Sequence, residues 1–196
     1  MYCIFLNTHI KILMKIINLY GAPSSGKSTS AMGIVYEMKK RYHKVEYISE
    51  FAKDLFWSGN QHLMTQQNLV LAEQSWRQER LKEHGVEYAV TDSPLLLSSY
   101  YGMRYRKDLP KCFHEWVEHS FNQFDNVNFF IHRSHPYEEA GRLQSEKEAD
   151  QISIELLQFL HDRNIPVIEL NADDSVPITI LNHLKLNWID FPQTKK

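Results

Sequence analysis

Residues 21–28 read Gly21-Ala22-Pro23-Ser24-Ser25-Gly26-Lys27-Ser28 and satisfy every fixed position of the phosphate-binding pattern G-x-x-x-x-G-K-[ST]. Few eight-residue stretches restrict a fold so tightly. The pattern works only where a strand delivers the loop and a helix leaves it. Then successive backbone N–H groups converge on phosphate oxygens, with the positive end of the helix dipole behind them. Both flanks are present. Lys15-Ile16-Ile17-Asn18-Leu19-Tyr20 reads as a buried strand, and Thr29 to Arg41 as the helix. Gly21 through Thr29 are therefore expected to bind ATP. Lys27 is expected to reach the β- and γ-phosphates and Ser28 to hold Mg²⁺ through its hydroxyl, with Thr29 behind it.

Alternating segments continue this pattern. Strands are expected at Val45–Ser49, Val86–Thr91, Val127–Ile131 and Pro166–Leu170, each followed by helical sequence. The helix following residue 64 is expected to run from Thr65, as N-cap, to about Lys82, with Leu69, Ala72 and Trp76 on its inward stripe. Ser145-Glu146-Lys147-Glu148 has capping-box spacing and opens another helix. Five strands interleaved with helices predict an α/β fold: a P-loop NTPase three-layer sandwich with a five-stranded, mainly parallel sheet and helices on both faces.

In such sheets ligands bind at the carboxyl ends of the strands. Glu50 follows the second strand there, either as a site carboxylate or as an acid favoured by the dipole of the next helix. Asp92 follows the third strand in Thr91-Asp92-Ser93-Pro94, where a Walker B acid would hold Mg²⁺. On the long helix, Gln74 and Arg77 are candidates to face a substrate. Arg133 and Arg142 bracket a segment that can close as a lid and bring positive charge to a transferring phosphoryl group. The turn Asn171–Asp174 is expected to border the adenine. In Tyr100–Lys107, cations and aromatics interleave. Arg104, Tyr105, Arg106 and Lys107 are the local candidates for a nucleotide or nucleic-acid contact, against the alternative of a solvated surface loop.

A formal net charge of −2 gives no global basic face, so binding to a nucleic acid would rest on such a local patch. Cys3 and Cys112 form no paired motif, and neither a disulfide framework nor a zinc site is expected; a reducing cytoplasm fits. No membrane span is expected, because the apolar residues before Leu13 are too few to cross a bilayer. Residues 1–13 read as an extension ahead of a start at Met14, residues 14–190 as one kinase domain and 191–196 as a tail.

Four pieces carry a family resemblance: Ile17 through Thr29, Ser49-Glu50-Phe51-Ala52-Lys53-Asp54-Leu55, Thr91-Asp92-Ser93-Pro94-Leu95-Leu96-Leu97 and Gly141-Arg142-Leu143-Gln144. In these the chain resembles small phage-encoded P-loop kinases. Those are related to the ATPase domain of nicotinamide riboside kinases and, more distantly, to thymidylate kinases. Some members are 5-hydroxymethyluracil DNA kinases, which phosphorylate a modified thymine within viral DNA and so help it evade host restriction. The resemblance implies ATP- and Mg²⁺-dependent phosphorylation of a hydroxyl, with Glu50 as base and Asp92 in reserve. Lys27, Arg133 and Arg142 would stabilise charge. The acceptor would be the modified base in DNA or a small free nucleoside or nucleotide; the rival from another class is an ATP-hydrolysing switch.

Overall fold

A computed structural model describes residues 14–189. The expected extension over 1–13 and tail over 191–196 lie outside them. Five strands, β1 (Lys15–Tyr20), β2 (Val45–Ile48), β3 (Tyr88–Thr91), β4 (Asp125–His132) and β5 (Ile168–Asn171), form one sheet in the order β2-β3-β1-β4-β5. Every pairing is parallel, so the sheet is wholly parallel. Parallel strands need crossovers, and the helices that supply them are α1 (Lys27–Lys40), α2 (Phe51–Trp57), α3 (Gln67–Glu83), α4 (Leu96–Tyr105), α5 (Lys111–Phe121), α6 (Glu146–Asp162) and α7 (Val176–His183).

Side-chain alternation divides the core. Ile17 and Leu19 of β1 and Phe129 and Ile131 of β4 pack with Ala31, Ile34 and Met38 of α1 and Ile180 and Leu181 of α7. Tyr20 and Phe130 point the other way, onto Leu71, Leu97, Val117, Leu156 and Leu160 from α3 to α6. Each fully buried aliphatic of this kind contributes about 1.5–3 kcal/mol. The one polar residue deep in β1, Asn18, donates to Asn126 Oδ1 at 2.9 Å and to Asn128 Oδ1 at 3.0 Å across the β1–β4 pairing, so its amide is satisfied within the sheet.

The capping box at Ser145 forms as expected, with Glu148 returning to the Ser145 backbone at 2.8 Å. The start of α3 differs. Gln61–Thr65 is a 3₁₀ turn and α3 begins at Gln67, with Gln66 as N-cap in place of Thr65. Its inward stripe is also different: Leu69 and Trp76 are exposed, while Gln67, Val70, Leu71, Gln74 and Gln78 are buried. Those five positions share one helical phase; Gln74 spends its whole amide on backbone and the Gln67 amide nitrogen donates to the Met64 carbonyl at 2.8 Å, while Gln67 Oε1 and Gln78 Nε2 find no partner among the described residues. The segment 100–107 is not a loop: through Tyr105 it is the second half of α4.

Candidate active site

The loop between β1 and α1 is held in a conformation that only glycine permits at its ends. Gly21 has φ +144°, and a Cβ there would lie 2.5 Å from the Ile131 carbonyl; Gly26 has φ +86°. The backbone is thereby curled into the cradle expected of residues 21–28. Ser24 and Ser25 are buried, and Thr29 is exposed on the first turn of α1. Lys27 Nζ bridges the Gly21 and Ala22 carbonyls at 2.8 Å, lying across the loop. Burial pulls its pKa down, and the nearby Glu50 and Asp92 carboxylates oppose that shift.

Glu50 and Asp92 leave adjacent strands. Ile48 of β2 is in register with Thr91 of β3, so the two carboxylates emerge side by side just beyond the last paired residues. Glu50 occupies the N-cap position of α2 but makes no capping hydrogen bond. Its half-buried carboxyl is pushed up to about 6, first by desolvation and next by the Asp92 charge, against the pull of Lys27, Lys53 and Arg142. Asp92 is fully buried. Its Oδ2 accepts from Ser28 Oγ at 2.5 Å, while Oδ1 has no hydrogen-bond partner among the described residues.

An orphaned carboxylate oxygen beside a serine hydroxyl, one strand from the phosphate loop, fits Mg²⁺. This ion takes hard oxygen donors and is commonly held by one or two carboxylates together with substrate phosphates. Among the described residues no cluster of three or more His, Cys, Asp or Glu forms an all-protein metal cage, so His132 and His135 belong to none. His132 instead pairs with Glu169 at 2.6 Å.

The segment after β4 roofs this cluster. The Glu138 backbone donates to Ser24 Oγ of the loop at 2.9 Å, and a Cβ on Gly141 would sit 2.9 Å from Trp57 Cζ2 at the end of α2. The roof thus touches both the phosphate loop and the helix that Glu50 opens. Its two arginines have different surroundings. Arg133 forms ion pairs with Glu146 and Asp150 of α6 and lies over the Tyr137 ring. Arg142 donates to the Ala140 carbonyl at 2.8 Å and contributes positive charge at Glu50 and Lys27. Ala172 of the turn after β5 comes within 3.1 Å, and His135 within 3.4 Å, of the place a Cβ on Gly26 would occupy.

The cationic stretch on α4 is placed elsewhere. Arg104 pairs with Glu155 of α6; Arg106 pairs with Asp108 and also donates to Gln66 at 2.9 Å. Arg104 and exposed Lys107 line a groove between α4 and α6 with Ile154, Gln158 and Arg163. Tyr105 stacks on Tyr101, and Tyr101, inside the 100–107 stretch but not singled out in it, lies near enough to Glu50 for that carboxylate to add to the upward pressure of burial on its phenol. Tyr47 was likewise missed: its hydroxyl lies beside Asp92 and Ser28. Its signal was weak, a strand tyrosine whose neighbours are known only once β2 is set beside β3.

Gln74 and Arg77 point inward, toward backbone. Gln74 contacts Ser49, Phe51 and Ser93; Arg77 donates to Ser49 Oγ at 2.9 Å and to Asp54 at 2.8 Å.

With this geometry in hand, the comparisons are informative. A crystal structure of NadR protein in complex with NR superposes with a TM-score of 0.68 at 15% identity, covering 93% of this chain and 55% of NadR, so the chain spans about half of that protein. Deoxyadenosine kinase from M. mycoides, with products dCMP and a flexible dCDP bound, superposes at a TM-score of 0.52 and 14% identity, over 87% of this chain and 98% of the kinase. These likenesses are of fold. No curated protein matches the sequence. The AAA domain family matches residues 16–176, and because that span takes in nearly the whole of the sheet, the chain belongs to the AAA domain family.

Proposed function

We propose that the chain is an ATP-dependent kinase that phosphorylates a hydroxyl on a small nucleoside-type acceptor. The observation that carries this reading is Glu50: a half-buried carboxylate without a capping bond, held beside Asp92 and Lys27 under the 133–145 roof. Burying an acid whose charge Lys27, Lys53 and Arg142 offset only in part costs stability, and a structural helix cap would have turned the carboxylate onto the helix N–H groups.

In the reaction, the acceptor oxygen bonds to the γ-phosphorus as the bond from that phosphorus to the β–γ bridging oxygen breaks. Glu50 takes the acceptor's hydroxyl proton and later releases it to solvent. A carboxyl with a pKa of about 6 is largely ionised at neutral pH, yet is a stronger base than an ordinary glutamate. Lys27 neutralises the β- and γ-phosphates from across the loop, and Arg142 faces the oxygens of the transferring group. Arg133 braces the roof through α6. Ser28 and Asp92 would hold Mg²⁺, which when bound supplies charge neutralisation at the phosphates. The Ala172 turn and His135, flanking Gly26, suit the adenine side.

The acceptor expected from the family resemblance, 5-hydroxymethyluracil within DNA, draws no support from α4. A DNA-binding strip needs cations available to phosphates, and Arg104 and Arg106 are engaged by Glu155 and Asp108. The roof's contacts with Ser24 and Trp57 suit a compact acceptor better than a polymer. The deoxyadenosine kinase and NadR likenesses are consistent with that size class. Transfer of labelled γ-phosphate from ATP to free nucleosides and nucleotides, unmodified DNA and 5-hydroxymethyluracil DNA, assayed side by side, tests the reading. Label on a free nucleoside or nucleotide is expected; label on modified DNA alone, or only on released phosphate, would overturn it.

A further inference from the structure

Gln74 is 1% exposed on a helix whose neighbouring turns bury Val70 and Leu71, and its amide is spent on backbone alone. Its Oε1 accepts from the Phe51 N–H at 3.1 Å, and its Nε2 donates to the Ser49 carbonyl at 3.2 Å and the Ser93 carbonyl at 3.4 Å. The partners dictate the amide's orientation, because the flipped form would set NH₂ against an N–H and an oxygen against two carbonyls. Ser49 and Phe51 are the residues on either side of Glu50, and Ser93 is the residue after Asp92. We propose that Gln74 is a positioning residue that sets the spacing of Glu50 and Asp92 by tying the ends of β2 and β3 to one another through a single side chain.

The tie lies where it is needed. Register between β2 and β3 runs out at Ile48 and Thr91, so beyond those residues no ladder hydrogen bond holds the two chains together. The Gln74 amide takes over one residue later on the β2 side and two residues later on the β3 side. On the β3 side, the Ser93 N–H donates to Thr91 Oγ1 at 3.1 Å, closing a turn around Asp92 whose far end Gln74 holds. Arg77, one turn along α3, also reaches Ser49 but continues to Asp54 and Glu73; none of its hydrogen bonds reaches the β3 side. Only a neutral amide satisfies all three backbone groups. Leucine would orphan the Phe51 N–H and the Ser93 carbonyl and leave the Ser49 carbonyl to Arg77 alone, and glutamate would turn an acceptor on both carbonyls.

The inference rests on the kinase reading, and a double-variant cycle separates the two. Turnover and ATP affinity are measured for Gln74→Leu, Glu50→Gln and the combination, each verified as folded by circular dichroism. Displacing reacting groups by about 1 Å can cost about 10²-fold, so Gln74→Leu is expected to lower kcat about 10- to 10²-fold with ATP binding changed less than about threefold. On the Glu50→Gln background the same change is expected to cost only about threefold or less, since the group it positions has been removed. A folded Gln74→Leu with wild-type kcat overturns the proposal. So does an equal loss on both backgrounds, which would mark general loosening. Should the leucine variant not fold, Gln74→Met, unbranched and of similar length, enters the same cycle; failure of both to fold also overturns it, since Gln74 would then serve the core. Wild-type turnover in Glu50→Gln would instead remove Glu50 as the base, the part of the kinase reading on which the inference rests.

Discussion

Two regions carry clusters of charge, and they handle it in opposite ways. At the carboxyl ends of β1, β2 and β3, Lys27, Glu50 and Asp92 are drawn together in partial or complete burial. There Glu50 makes no capping bond and Asp92 Oδ1 has no partner among the described residues. At the end of α4, Arg104 and Arg106 each close on an acid. Unspent charge held out of water is costly, and a fold that keeps it has something for it to act on. Charge paired at the surface contributes about 0–1 kcal/mol and implies no ligand. The difference separates a site from a patch.

The sharpest break of this comparison comes from Lys27→Ala. On the proposed mechanism it removes the cation that answers the phosphates and should lower transfer by about 10³-fold or more, with the fold kept. Near-native transfer in a folded variant would remove the phosphate loop from the mechanism. The two roof arginines repeat the contrast on a smaller scale. Arg142→Ala is expected to reduce kcat about 10- to 10²-fold with little change in melting temperature. Arg133→Ala, which breaks two ion pairs to α6, should mainly lower the melting temperature and raise KM. Kinetics and thermal melts on both variants check this; equal kcat losses would erase the distinction.

Glu50 itself offers a test without any substrate. Its folded pKa is raised from 4.5 to about 6, so the native state holds the proton more tightly than the unfolded chain. Below pH 4.5 the group costs nothing; the penalty develops between pH 4.5 and 6 and is complete above. Glu50→Gln should therefore stabilise the protein by up to about 2 kcal/mol at pH 7.5 and by about nothing at pH 4. Denaturant unfolding at both pH values measures it, and a less stable variant at pH 7.5 would return Glu50 to a structural role. The smallest effect belongs to α4. Removing charge at Arg104, Arg106 and Lys107 together should change acceptor KM by about twofold or less and leave it no more salt-dependent than before. A strong rise in KM for DNA with a steep salt slope would restore the DNA acceptor.

The same contrast explains what could be read in advance. Spacing survives in the one-dimensional chain: the glycine loop, the acids one step beyond apolar strands and the capping box at Ser145 all depend on neighbours in sequence, and they fall where expected. Pairing does not survive. Arg104 meets its acid 51 residues away, and nothing near residue 104 announces Glu155. Arg133 and Arg142 look alike until Glu146 and Asp150, four apart on one face of α6, claim the first of them. On α3 hydrophobicity alone points to Leu69, Ala72 and Trp76 as the inward stripe, although Gln67, Gln74 and Gln78 share the phase of the buried Val70 and Leu71. Three glutamines in step with a buried stripe were a legible sign of polar groups taken inside, where Gln67 and Gln74 meet backbone.

Whether Glu50 takes the acceptor's proton is decided by single-turnover transfer of labelled γ-phosphate, wild type against Glu50→Gln, with ATP affinity measured separately by titration. With Glu50 as the base, the transfer step falls about 10²- to 10⁴-fold while ATP affinity is nearly unchanged. An undiminished rate, or a loss confined to ATP binding, would contradict that role.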